Sequence, residues 1–109
     1  MISGLKAMLY LRLSDRVFFP AVKHEILVPQ MRMPRQGKTE YNFVIAYLDE
    51  VAKVLPLERK KGLEVFTPTV IEKLKAINKV WNGKKDVDWQ ADERDTDRVL
   101  KSLSKRKRK

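Results

Sequence analysis

Cysteine is absent from the 109 residues. Its absence excludes disulfides, cysteine-ligated zinc and a thiol nucleophile, and argues against a small secreted scaffold held by disulfides. Histidine occurs once, as His24 beside Glu25. A lone imidazole next to a carboxylate reads as a surface pair rather than a general base. Glycine is scarce, at four residues, and neither G-x-x-x-x-G-K-S/T nor G-x-G-x-x-G occurs, so the sequence encodes no loop of the kind that cradles phosphates. No serine stands in G-x-S-x-G. No apolar run approaches the ~18 residues of a membrane-spanning helix. The expectation is a chain with no enzymatic activity, no metal, no cofactor, no small-molecule substrate and no membrane span.

Positive charge is in excess. The chain carries 24 Lys and Arg against 14 Asp and Glu, a formal net charge of +10. It closes on K-R-K-R-K, Lys105–Lys109. Taking those five away from 24 still leaves 19 cations against 14 acids, so the body is basic as well as the tail. With a pI near 10.0, it has the electrostatic footprint of a nucleic-acid binder; the alternatives are a solvated basic surface or a contact with anionic lipid. The acids gather at Asp86, Asp88, Asp92, Glu93, Asp95 and Asp97. They lack the D-x-D-x-D-G order and distal Glu of a calcium loop. They are also too local in sequence for a two-metal site, which collects acids from separate elements. They suit the start of a helix that ends in Lys and Arg, with Arg94 and Arg98 as partners.

Hydrophobic residues make up 43%, enough for one modest core. Their spacing predicts a mainly α fold, a small set of three to four helices joined by basic loops. Residues 1–104 are expected to form a single helical domain, and 105–109 an extended or disordered basic tail. Ile2, Leu5, Leu9 and Leu13 mark an amphipathic N-terminal helix that stops at Pro20. With Lys6, Arg12, two serines and no acid before Asp15, this segment has the composition of a mitochondrial presequence as well as of an ordinary first helix. Ala21–Gln30 reads as a short extended piece with no clear pairing partner, and M-R-M-P-R-Q-G-K, Met31–Lys38, as a loop marked by Pro34 and Gly37. Thr39 is expected to cap a second helix with Tyr41, Val44, Ile45, Leu48, Val51 and Leu55 on its inner face, ended by Pro56. Thr67-Pro68 opens a third, and Asn82-Gly83 stops it. A fourth runs from near Trp89 to about Ser104. The second and third helices are expected to pack through Ile45, Leu48, Leu74 and Ile77.

Three cationic patches follow: Arg32, Arg35 and Lys38; Arg59, Lys60 and Lys61; and Lys105, Arg106, Lys107, Arg108 and Lys109. Cations on loops and tails track a phosphate backbone and release its counterions, positioning a protein without reading sequence. Tyr10, Tyr41, Tyr47, Trp81 and Trp89 could stack on bases, but most fall on inner helical faces and read as core. Trp89 is the least committed of them.

R-L-S-D-R-V-F, Arg12–Phe18, resembles the N-terminal R-L-S-x-R-L/I-F stretch of a small mitochondrial ribosomal protein family, the S-thirty-three family of the small subunit. V-A-K-V-L-P-L-E-R-K-K, Val51–Lys61, is similar to that family's L-P-L-x-K-K-K junction. V-F-T-P, Val65–Pro68, a charged segment and a Lys/Arg-rich end follow in the same order. The resemblance implies a structural constituent of the mitochondrial ribosome, in the head of its small subunit and in the matrix. Its partners would be rRNA and neighbouring ribosomal proteins, with no enzymatic role. Arg12 and Arg16, inside the first motif, then join the candidate RNA contacts. Two other readings stay open: a small basic DNA-binding module, and an accessory subunit of another organellar complex.

Overall fold

The computed structural model describes residues 1–56, 65–84 and 86–107, with side chains through Ser104. Its N-terminal apolar stretch is two helices meeting at an elbow, where the spacing predicts one. Ile2–Ser3 is a short strand, β1; Gly4–Tyr10 is α1 and Asp15–Lys23 is α2. α1 ends in a Schellman turn: the Arg12 N–H donates to the Leu9 carbonyl at 3.2 Å and the Leu13 N–H to the Met8 carbonyl at 3.1 Å. Arg12 takes the left-handed backbone this turn requires, with φ of 58°. α2 ends in the same way, with Glu25 at φ 61° and N–H bonds from Glu25 to Val22 and from Ile26 to Ala21. Pro20 lies inside α2 and does not stop it. Its ring is exposed, and so is Arg16, whose carbonyl loses the helical donor and is left to water.

A small antiparallel sheet overturns the mainly α expectation. Met31–Arg35 forms β2 and Lys38–Phe43 forms β3, and the strand order is β1-β3-β2. The register pairs Met31 with Asn42 and Arg35 with Lys38, leaving a two-residue turn at Gln36-Gly37. Both turn residues have positive φ, 50° and 78°, the type I′ geometry whose twist matches paired strands. Pro34 is tolerated because β2 is an edge strand, which does not need a full ladder of N–H donors. Thr39 therefore caps no helix, and Tyr41 stands in a strand.

The second predicted helix is α3, Ile45–Val54, six residues later than its expected Thr39 cap. Nothing local caps it. Its free N–H groups are met from a distance: Val44 donates to Gln30 Oε1 at 2.9 Å and Ile45 to Asp92 Oδ1 at 2.9 Å. α4 is Pro68–Trp81, with the Thr67 hydroxyl accepting from the Val70 N–H, as its sequence predicts. α5 is Trp89–Lys107; the Asp88 carboxylate caps it by accepting from the Ala91 N–H at 3.0 Å. The backbone thus stays helical through Lys107, where an extended or disordered tail is expected from residue 105. Among the described residues the architecture is five helices around a three-stranded sheet.

Ile45, Leu48 and Leu74 are fully buried and Ile77 partly so, as the expected packing of α3 on α4 requires. A chain of rings crosses this core. Phe18 meets Phe43 at 5.8 Å, Phe43 stacks on Tyr47 at 6.3 Å, and Tyr47 meets the edge of Trp81 at 5.9 Å. Asp92, 5% exposed, is the buried charge among the described residues. Its second oxygen pairs with the Met1 ammonium at 2.5 Å, so one carboxylate on α5 joins the start of α3 and the residue preceding β1.

The Tyr47 hydroxyl accepts from the Val28 N–H at 2.9 Å and donates to Asn78 Oδ1 at 2.6 Å. Burial pushes this phenol up to about 12, from an ordinary value of 10.0. The unfolded chain loses that proton as pH passes 10.0, while the folded chain keeps it to about 12, so stability falls across that window. Tyr47→Phe should cost about 1–3 kcal/mol at neutral pH, because it strands the Val28 N–H and the Asn78 oxygen. Urea unfolding should also show a shallower alkaline decline for the variant. An alkaline decline equal to that of the unaltered chain would contradict this role.

Candidate nucleic-acid interface

Residues 24–30 link α2 to β2, and their path is fixed by side chains. Gln30 Nε2 donates to the Val28 carbonyl at 2.8 Å while its Oε1 holds the start of α3. Asn78 Nδ2 donates to the Ile26 carbonyl at 2.9 Å. The linker is thereby clamped between the sheet and α4. Beside it, with the C-terminal half of α4 as the other wall, runs a groove. One section of about 430 Å³ is lined by Glu25, Arg32, Lys75, Lys79 and Asn82. Across Val28, Arg32 and Asn82 it passes into a cleft of about 290 Å³, lined by Gln30, Trp81, Lys84 and Trp89. Lys75 and Lys79 lie one helical turn apart on the exposed side of α4. Four cations, Arg32, Lys75, Lys79 and Lys84, thus face one carboxylate, Glu25, along the two sections.

Of the residues the sequence proposes for RNA, Arg32 lines this groove. Arg35 and Lys38 flank the hairpin turn, both exposed. Arg35 reaches Glu40 at 3.1 Å, a surface pair of small worth that leaves the guanidinium available. Arg12 and Arg16 are exposed at the elbow between α1 and α2 and do not line the groove. Arg59, Lys60, Lys61, Arg108 and Lys109 lie outside the described residues. Lys105, Arg106 and Lys107 are described as backbone at the end of α5.

Sequence reasoning missed Lys75, Lys79 and Lys84 because it sought cations on loops. The i, i+4 lysines on the polar side of α4 were the available signal. Lys84 sits over the Trp81 ring at 5.3 Å and reaches the exposed Asp86 at 3.6 Å.

The aromatic candidates separate clearly. Tyr47 is buried, and Tyr41 packs partly buried against the core. The Tyr10 hydroxyl donates to the Asp49 carboxylate, and burial followed by that bond raises its pKa. The Trp81 indole N–H donates to Glu50. Trp89 stays 51% exposed. The acids of the 86–97 stretch take structural posts: Asp88 as cap, Asp92 as buried link, and Asp95 beside Arg98 at 3.7 Å. Among the described residues no three His, Asp or Glu side chains gather as metal ligands would. His24 closes α2 through its backbone N–H on Pro20.

The chain matches no known protein family, no curated protein and no solved structure. No helix among the described residues is long and apolar enough to cross a membrane.

Glu25 holds a left-handed backbone that suits glycine, and its carboxylate opposes an anionic ligand in a basic groove, while its attraction for solvent-facing cations is worth little to the fold. Glu25→Gly should raise the unfolding midpoint and tighten RNA binding at low salt. Thermal melting and anisotropy titration check the two effects separately; weaker RNA binding by a stably folded variant would contradict the groove's charge assignment.

Proposed function

We propose that this chain is a structural, non-catalytic RNA-binding subunit, a constituent of the small subunit of the mitochondrial ribosome. The observation that carries the RNA reading is the continuous groove with four cations against one acid. The resemblance of Arg12–Phe18 and Val51–Lys61 to the S-thirty-three family supports the ribosome and the mitochondrial matrix as its setting.

The mechanism is electrostatic and geometric. Arg32, Lys75, Lys79 and Lys84 meet successive phosphates, and the counterions they displace drive association. Arg35 and Lys38 at the hairpin tip reach a second stretch of backbone, with Arg12 and Arg16 at the elbow as a further anchor. Arg59–Lys61 and Lys105–Lys109 add cations that neutralise rRNA where its segments approach one another. Such contacts fix position and carry little base specificity. Exposed Phe19 and Met33 offer apolar surface to neighbouring ribosomal proteins.

Sedimentation tests the assignment. The chain should travel with small subunits through a gradient at low salt and leave them at high salt; a chain that stays at the top of the gradient contradicts the ribosomal reading. Charge reversal tests the groove. The double variant Lys75→Glu/Lys79→Glu changes two exposed side chains, so the fold should persist. It should weaken RNA binding and reduce the salt slope by about 1.4–1.8 units, at roughly 0.7–0.9 per lost phosphate contact. An unchanged slope would place RNA elsewhere on the surface.

A further inference from the structure

The groove ends in a cleft whose chemistry differs from the rest. We propose that this cleft holds one unstacked base of single-stranded RNA, with the Trp89 indole as its stacking surface. The inference rests on the RNA reading above and specifies how a strand is gripped.

Two indoles line the cleft, and their commitments are opposite. Trp81 is held throughout: Tyr47 meets it edge-on, its N–H donates to Glu50, and Lys84 covers it at 5.3 Å. It serves as a fixed wall. Trp89 has no ring or cation packed on it among the described residues and is 51% exposed, although it begins a long helix whose cap is secure. An open indole on a capped helix start is what a base needs, because every base presents a π surface and stacking tolerates any sequence.

The remaining lining suits a nucleotide. Pro29, Val28 and Val87 supply apolar floor, and Asn82 supplies a carboxamide for a base edge. No carboxylate lines this section, while Arg32 and Lys84 stand at it as cations for the phosphates on either side. The Lys84–Asp86 pair, at 3.6 Å with Asp86 exposed, is weak enough to be exchanged for a phosphate. At about 290 Å³ the cleft is at the small end of ligand sites, fitting a single flat ring system. From there a strand continues over Arg32 to Lys79 and Lys75. A-form duplex RNA keeps its bases stacked inside and engages only the cations.

The test uses the full chain, a labelled uridine decamer and a blunt RNA duplex of equal length, titrated by anisotropy. Trp89→Ala should weaken decamer binding about 5- to 150-fold, the range of one lost base stack. Duplex binding and both salt slopes should not move. Trp89→Phe, which keeps an aromatic face, should restore most of the decamer affinity. Decamer binding that is unchanged in Trp89→Ala overturns the cleft and leaves the groove's RNA role standing. Equal losses on decamer and duplex, with a lowered melting midpoint, overturn it too, since they mark a structural residue. An unaltered chain that binds neither RNA removes both readings.

Discussion

One buried hydroxyl sets the positions on which the surface depends. The Tyr47 phenol is fully enclosed, so its oxygen and hydrogen must find partners inside the protein. It finds the Val28 N–H on one side and the Asn78 carboxamide on the other. Asn78 in turn holds the Ile26 carbonyl. Three elements distant in sequence, the 24–30 linker, α3 and α4, are registered against one another by these bonds. The ring of the same residue stacks on Phe43 of the sheet and meets Trp81 at the end of α4. Both walls of the groove are therefore placed by contacts that converge on Tyr47, and slack in this junction would change the groove's width.

The charge of this surface is not neutralised from within. A formal net charge of +10 on a small chain is self-repulsive, and the described ion pairs relieve little of it. Arg35–Glu40, Lys84–Asp86 and Arg98–Asp95 are solvent-facing pairs of small individual worth. The one buried acid among the described residues, Asp92, is engaged by the Met1 ammonium and the α3 N-terminus. An anionic backbone lying in the groove lowers the repulsion among Arg32, Lys75, Lys79 and Lys84 at the point where they are concentrated.

The sequence revealed the elements whose ends are local and concealed those whose ends are not. Thr67, Pro68 and Asn82-Gly83 announce α4, and the structure places its cap and stop there. The α3 stripe of Ile45, Leu48 and Val51 is legible because it is buried on one side. Its start was not, because its N–H partners, Gln30 and Asp92, come from elsewhere in the chain. The turns missed are those with non-glycine residues in left-handed backbone, Arg12 between α1 and α2 and Glu25 after α2, whereas Gly37 marked the hairpin turn and only its flanking strands went unread. Without glycine or asparagine at those positions the breaks carry no local signature. β2 was hidden for another reason. All five of its residues are exposed, so no alternation of burial marks it, and Pro34 argues against a strand until its edge position is known. Arg32 was found because it stands among cations, whereas the α4 lysines drew no notice on a helix until the fold set them across from it.

The central claim is that RNA lies along this groove in the assembled particle. Ultraviolet crosslinking of small ribosomal subunits, followed by mass-spectrometric mapping of nucleotide adducts on this chain, addresses it most directly. Adducts should concentrate on peptides carrying Arg32, Lys75–Lys84 and Trp89, which line one surface although they are far apart in sequence. A chain recovered with the subunit whose adducts all fall outside these peptides would contradict it.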